Sequence, residues 1–302
     1  MKKYTKKDLV ADLKALGINE GDLLNVKISY KSIGLVEGGA KTVVDALIEA
    51  VGSNGTIFSD SFVRSFPYLK LLFFPNKCIV NNTTPTYAGA IASVMTKHKD
   101  AKRSPHPIQK FTAIGLHSDL VLKHTAESKP YSLLYELSQA GGKNLRIGPK
   151  EKVTGVGTTH CAVELLKLKQ NIVKKGVCYI NNEKKVQKFY SHWPTTCSTA
   201  YNNLIPKYRQ LGGIINEGFV GDSEAILSDM NKTLEIEQTL GKQNPNFLLC
   251  TDPGCYKCQL NWEFSQGSLC KVLYTNLKRK KFKRMALILF MAITQKNYQP
   301  KH

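Results

Sequence analysis

Between Asp22 and Phe58 the chain alternates two short apolar segments with a glycine-rich stretch and a helical one. The first segment, Asp22 to Ser29, centres on Val26 and Ile28, and the second begins at Thr56. Between them come Tyr30-Lys-Ser-Ile-Gly34-Leu-Val-Glu37-Gly38-Gly39-Ala40 and then Thr42 to Val51, whose apolar residues recur at helical spacing before Gly52 and Gly55 end the run. Strand, loop, helix and strand in that order form a βαβ unit. Its crossover implies a parallel or mixed sheet covered by helices.

The loop is suited to an anion. Gly34, Gly38 and Gly39 let backbone approach a ligand closely, and the start of the next helix offers unpaired N–H groups. Lys27, Lys31 and the hydroxyls of Ser29, Tyr30 and Ser32 would add to that. The glycine spacing is neither the Walker pattern nor G-x-G-x-x-G, so the generic nucleotide motifs do not apply. The plain alternative is a tight turn.

Further along, Tyr4 to Leu16 reads as an amphipathic helix with Thr5 as its cap. Thr86 to His98, Ser132 to Leu137 and Ser223 to Leu240 carry the helical period, and Leu145 to Gly148 reads as a strand. No internal repeat or low-complexity linker interrupts them. The expected architecture is a single α/β/α layered domain over residues 1–260, with a parallel or mixed central sheet, followed by a basic C-terminal appendage over 261–302. The longest apolar run, Met285 to Ile293, is too short to span a membrane and reads as a strand or helix. No signal peptide is visible, which places the expected protein in the cytoplasm.

The chain carries a net charge of +20, and residues 271–302 hold nine Lys/Arg and no acid. Such a surface attracts polyanions, among them phosphorylated cofactors, nucleic acid and anionic glycans, unless it is only a solvated tail. Of eight cysteines, Cys250, Cys255, Cys258 and Cys270 stand out as C-x4-C-x2-C-x11-C. That spacing suits a structural zinc ion, with free thiols as the alternative.

Two stretches carry candidate chemistry. In Gly155-Val-Gly-Thr-Thr-His160-Cys-Ala-Val-Glu164, His160 and Glu164 share a helix face, and Thr158 or Thr159 would cap the helix. Peptide dipoles at the first turn favour a neutral imidazole, the form a general base takes near pH 7. Arg103-Ser104-Pro105-His106-Pro107 gathers a guanidinium, a hydroxyl and an imidazole on a rigid loop, either for a ligand or for an internal network.

Read together, these stretches resemble the aminoglycoside 3-N-acetyltransferase family. The resemblance rests on Gly21-Asp22, Ser29 to Gly34 with Gly38-Gly39-Ala40, Val51-Gly52 with Gly55-Thr56, Thr84-Pro-Thr with Gly89, Arg103 to Pro107, Gly157-Thr-Thr-His160, and Gly218-Phe-Val-Gly221-Asp222. It implies an α/β/α enzyme that holds acetyl-CoA and a sugar-borne amine together, with no nucleic acid partner and often as a homodimer. It places the general base at His160 with Glu164 as its partner. The coenzyme falls to Lys31, Ser32, Gly34, Arg103, Ser104 and His106.

Three departures accompany it. Position 163, where the family has its glutamate, is Val163; Lys27 stands where the family has a histidine; and the chain is basic where enzymes for polycationic substrates tend to be acidic. Two other function classes compete: a non-catalytic polyanion-binding protein using the basic tail and cysteines, and a hydrolase using Ser104 or Cys161 with His160.

Overall fold

The βαβ unit forms as expected and builds the middle of the molecule. In the computed structural model, which describes residues 2–153, 155–181, 183–194 and 197–297, strand β1 (Leu23–Ile28) lies parallel to β2 (Thr56–Asp60), with Leu23 opposite Thr56. Helix α1 (Lys6–Ala15) opens on the expected cap: Thr5 and Asp8 form a reciprocal capping box. Helix α2 (Ala40–Val51) begins at Gly39, whose φ of 73° suits a residue without a Cβ.

Strands β1 and β2 belong to a seven-stranded mixed sheet. Its other members are β4 (Lys102–Arg103), β5 (Phe111–Gly115), β6 (Lys143–Ile147), β9 (Ile214–Val220) and β10 (Ser223–Asp229), in the order β9-β10-β6-β1-β2-β5-β4. Only the contacts of β1 with β2 and with β6 are parallel; the outer pairs are antiparallel. A smaller antiparallel sheet, β3 (Phe66–Pro67), β7 (Lys175–Ile180) and β8 (Val186–Tyr190), packs through Val63, Val80, Ile108, Val177 and Trp193.

Strand alternation divides the core into two faces. Leu24, Val26, Ile57, Leu145 and Ile147 meet Leu9 and Leu13 of α1 and Val43, Leu47 and Val51 of α2. Phe58, Phe111 and Ala113 face the other way. They pack against α4 (Ser132–Gln139), α5 (Thr159–Leu165) and α6 (Met230–Gln243) through Leu133, Leu137, Ala162 and Leu234. Each fully buried Leu, Val or Phe of these faces contributes about 1.5–3 kcal/mol. The result is the three-layer α/β/α arrangement with a mixed sheet.

Two elements differ from the sequence reading. Ser223 to Leu240 is not one helix: Ser223–Asp229 is strand β10, paired on both sides, and the helix starts only where the Asp229 side chain accepts from Lys232 N–H. Pairing with β9 on one side and β6 on the other selects the extended form over the helical period. The Thr86 to His98 helix shrinks to α3 (Ala90–Met95), because Gly89 at φ 109° and the Thr86 hydroxyl bond to the Phe62 carbonyl hold the preceding turn extended. The C-terminal segment forms α7 (Leu269–Lys278) and α8 (Phe282–Thr294), docked through Val272 and Ile288 onto Tyr256; residues 298–302 of the basic tail lie outside the described residues. No helix among the described residues is long and apolar enough to cross a membrane.

Candidate active site

Because β1 and β6 run parallel and adjacent, their following loops leave the same edge of the sheet, the usual place for a ligand in α/β proteins. The glycine-rich loop follows β1, and the segment leading to His160 follows β6. Asp60 ends β2 directly opposite Phe111, which brings the Arg103–Gln109 loop to that edge as well. The topology thus gathers stretches far apart in sequence.

His160 sits in the first turn of α5, packed between two tyrosines. Its ring stacks on Tyr131, with centroids 4.9 Å apart at 10°, and meets the edge of Tyr201 at 5.2 Å and 79°. The Tyr201 hydroxyl lies 3.4 Å from Nδ1. Burial, then the charges of Lys27 and Lys257, lower its pKa to about 3, so the imidazole is neutral throughout the physiological range. The neutrality expected from helix dipoles is present, but burial and two lysines are its causes.

Thr158 and Thr159 do not cap α5 with their side chains. Thr158 occupies the cap position with helical backbone angles, and both hydroxyls turn inward to donate to Oε1 of Glu237 on α6, at 3.2 and 2.8 Å. Tyr208 donates its hydroxyl to the same oxygen. Burial raises the Glu237 carboxyl to about 7. Gly157 is small because a Cβ there would stand 2.3 Å from Nδ2 of Asn25, which itself donates to Asn144 at 2.9 Å between β1 and β6. The base of α5 is therefore pinned to the sheet on one side and to α6 on the other.

Glu164 takes a hydrogen bond from the Tyr131 backbone, while its Oε2 is buried with no hydrogen-bond partner among the described residues; burial raises its pKa to about 7. Since the Tyr131 ring carries the His160 stack, Glu164 bears on the imidazole through that tyrosine. Across the edge, burial lowers the Lys27 ammonium and raises the Asp60 carboxyl, each opposed by the other's charge. Gln109 donates to Asp60 at 2.9 Å.

The Arg103 loop is an internal network. The Arg103 guanidinium donates to the carbonyls of Ser61, Asn82 and Thr84 at 2.6, 2.9 and 2.6 Å. Ser104, fully buried, accepts from Phe111 N–H at 2.9 Å. His106, also fully buried, accepts from Ile108 and Gln109 N–H through Nδ1 and stacks on His124 at 4.7 Å. These groups shape the loop that presents Gln109. The direct ligand contact expected of Arg103, Ser104 and His106 is not open to them in this conformation, because their polar atoms face inward.

In the glycine-rich loop, Lys31 is exposed and the Ser32 hydroxyl lies 2.8 Å from that of Ser29. Gly34, at φ 98°, has a packing reason for its identity: a Cβ would strike Oδ2 of Asp222 at 2.2 Å. Gly221 in turn packs against the Ile33 carbonyl, so the late glycine pair supports the first loop. Beside the site, a cavity of about 300 Å³ is lined by Lys175, Ser191, Trp193, Tyr256, Lys257 and Phe290, among others.

The cysteine quartet differs from the sequence expectation in one member. Cys250, Cys255 and Cys258 do come together, but Cys270 is exposed on α7, and Cys197 takes the fourth place. The short spacing identified three of the four; Cys197 lies too far away in sequence for spacing to reveal it.

Tyr131, Tyr201 and Glu237 escaped the sequence reading. Glu237 had a signal, an acid on the helix face of Thr233, Leu234 and Gly241; the tyrosines had none, since only the fold brings them to His160.

Comparison with known proteins follows the same lines. A family model described as aminoglycoside 3-N-acetyltransferase matches residues 26–240. Aminoglycoside N(3)-acetyltransferase III of Serratia marcescens is 34% identical over 169 residues, covering 50% of this chain and 61% of that protein. The chain thus spans about three fifths of the length of the curated relatives it matches first. Among solved structures, aminoglycoside acetyltransferase AAC(3)-IIb superposes with a TM-score of 0.67 at 27% identity, over 81% of this chain and 98% of that one. AAC-IIIb in a binary complex with CoASH, 18% identical, shares the fold at a TM-score of 0.62 over 80% and 98%.

Proposed function

This chain belongs to the aminoglycoside 3-N-acetyltransferase family, and from that membership we propose that residues 1–260 transfer an acetyl group from acetyl-CoA to an amine, with 261–302 as an appended basic segment. The acceptor is the 3-amino group of an aminoglycoside or the amine of a related amino-sugar. The observation that carries the reading is the His160 imidazole held between two tyrosines at the sheet edge where the glycine-rich loop emerges.

An amine at pH 7 is mostly protonated and cannot attack a thioester. In the proposed reaction the amine first gives up its extra proton to solvent; the neutral nitrogen then bonds to the acetyl carbon while His160 takes the proton that nitrogen must still lose. The tetrahedral oxyanion collapses by breaking the C–S bond, and the proton leaves the imidazolium for the departing thiolate. Lys31, Ser32 and the backbone around Gly34, in the loop between β1 and α2, bind the coenzyme, while Arg103, Ser104 and His106 hold the neighbouring loop in shape for it. Cys161 is buried, and its thiol pKa is pushed up by that burial, which favours direct transfer over a covalent acyl-enzyme. Lys175 and Lys257 beside the site favour an acceptor carrying an anionic group over a pure polycation.

Glu164 is assigned the stabilisation of the imidazolium. Its carboxyl, raised to about 7 by burial, gains negative charge as pH climbs through that value, so kcat/KM rises across the same window. In Glu164→Gln that limb of the profile is lost and the maximum falls by about tenfold. An unchanged profile in the variant removes Glu164 from the mechanism. The function itself is tested by calorimetric titration with CoA, followed by thiol release from acetyl-CoA against a panel of aminoglycosides and neutral or acidic amino-sugars. A chain that neither binds CoA nor releases thiol in response to any amine is not this enzyme.

A further inference from the structure

Cys197, Cys250, Cys255 and Cys258 place their four sulfurs within 4.8 Å of one another, although the first lies far from the others in sequence. We propose that they bind a zinc ion as a tetrahedral, all-cysteine structural site.

The geometry suits a metal better than the alternatives. A tetrahedral ion with Zn–S bonds of about 2.3 Å sets its sulfurs about 3.8 Å apart. Cys197 and Cys250 stand 3.9 Å apart. A disulfide needs about 2.05 Å, and every cysteine of the chain is free. The donor set is four soft sulfurs with no carboxylate or imidazole among them, which selects zinc over magnesium, calcium or manganese. Cys255 and Cys258 are buried and Cys197 and Cys250 partly so, which fits a closed structural site with no position for a substrate. Cys255-Tyr-Lys-Cys258 supplies the tight half on one turn, and Cys250 and Cys197 close the other half from separate segments. On binding, the thiols ionise and release their protons to solvent.

Such an ion would fasten together two segments that frame the candidate site. Cys197 immediately precedes the turn that carries Tyr201, whose ring meets His160 edge-on. Tyr256 and Lys257, between Cys255 and Cys258, line the adjoining cavity. Tyr201 and Trp262 also share a buried apolar cluster with Val163 of α5, so the same two segments are already packed against the His160 helix. The site stands independently of whether His160 is the base.

The test is metal content. The full chain, purified under reducing conditions with zinc present and then desalted, is measured by elemental mass spectrometry; one zinc per chain is expected. Cys197→Ser and Cys258→Ser lose it, whereas Cys270→Ser keeps it. Should the serine variants fail to fold, cobalt(II) in place of zinc in the unsubstituted chain gives thiolate charge-transfer and tetrahedral d–d absorption. Three results each overturn the proposal: a folded chain holding no zinc or iron instead, full zinc in Cys197→Ser, or a disulfide joining any two of the four in a non-reducing digest.

Discussion

Replacing His160 with alanine lowers amine-dependent thiol release by about two to four orders of magnitude, the usual contribution of a positioned general base. Coenzyme affinity changes little, because the residues assigned to CoA sit in the loop after β1. The effect should fall on kcat rather than KM, since the imidazole acts only as the proton moves. Truncation also empties the slot between Tyr131 and Tyr201, so a loss of stability accompanies it. His160→Phe separates the two effects: the ring keeps both aromatic contacts and therefore the fold, yet cannot accept a proton. Both variants are measured by steady-state kinetics and thermal unfolding. Activity of His160→Phe within tenfold of the unsubstituted chain would place the base elsewhere.

Glu237→Ala should be the most destabilising single change near the site. One buried oxygen accepts from Thr158, Thr159 and Tyr208, and all three bonds are lost together, leaving Thr158 with the Thr233 hydroxyl at 3.2 Å and Thr159 with the Val156 carbonyl at 3.4 Å. At about 1 kcal/mol for each bond, the cost is about 3 kcal/mol at pH 5. The dependence on pH has a definite sign. A carboxyl whose pKa is raised by folding binds its proton more tightly in the folded chain. Its contribution is fully present below the unfolded value of 4.5 and is lost as pH rises to about 7. That loss amounts to about 3 kcal/mol, and Glu164, raised to a similar value, adds to it in the same window. Glu237→Gln keeps an acceptor oxygen but cannot ionise. It should therefore shed about half of the stability lost between pH 5 and pH 8, as read from urea midpoints at each pH. Identical pH slopes for the two proteins would show that Glu237 ionises in the fold as it does in water.

Activity connects to the same carboxylate. Thr158 and Thr159 begin the helix that carries His160, so Glu237 sets where the imidazole stands. In the proposed reaction it is a positioning residue acting from α6.

How much of this is legible in the chain depends on range. The βαβ unit, the capping box at Thr5 and the glycine at position 39 follow from local pattern, because each is decided within a few residues. The β10 segment carries apolar spacing that suits both helix and strand, and only pairing with β6 and β9 selects the extended form. Arg103, Ser104 and His106 stand out on their loop, but residue type does not say whether a guanidinium faces a ligand or three carbonyls. The carbonyls it meets come from Ser61, Asn82 and Thr84, set by the fold. The cysteines follow the same logic. Spacing joins Cys250, Cys255 and Cys258, and long-range packing exchanges Cys270 for Cys197.

Direct acetyl transfer to an amine at His160 is tested most directly by following a labelled acetyl group. The chain is mixed with acetyl-labelled CoA and each acceptor that supports thiol release, then quenched and resolved by mass spectrometry. The account predicts label on the acceptor amine in a one-to-one ratio with free thiol, none on the protein, and neither product with His160→Phe. Label trapped on Ser104 or Cys161, or thiol released without an acylated amine, would contradict it.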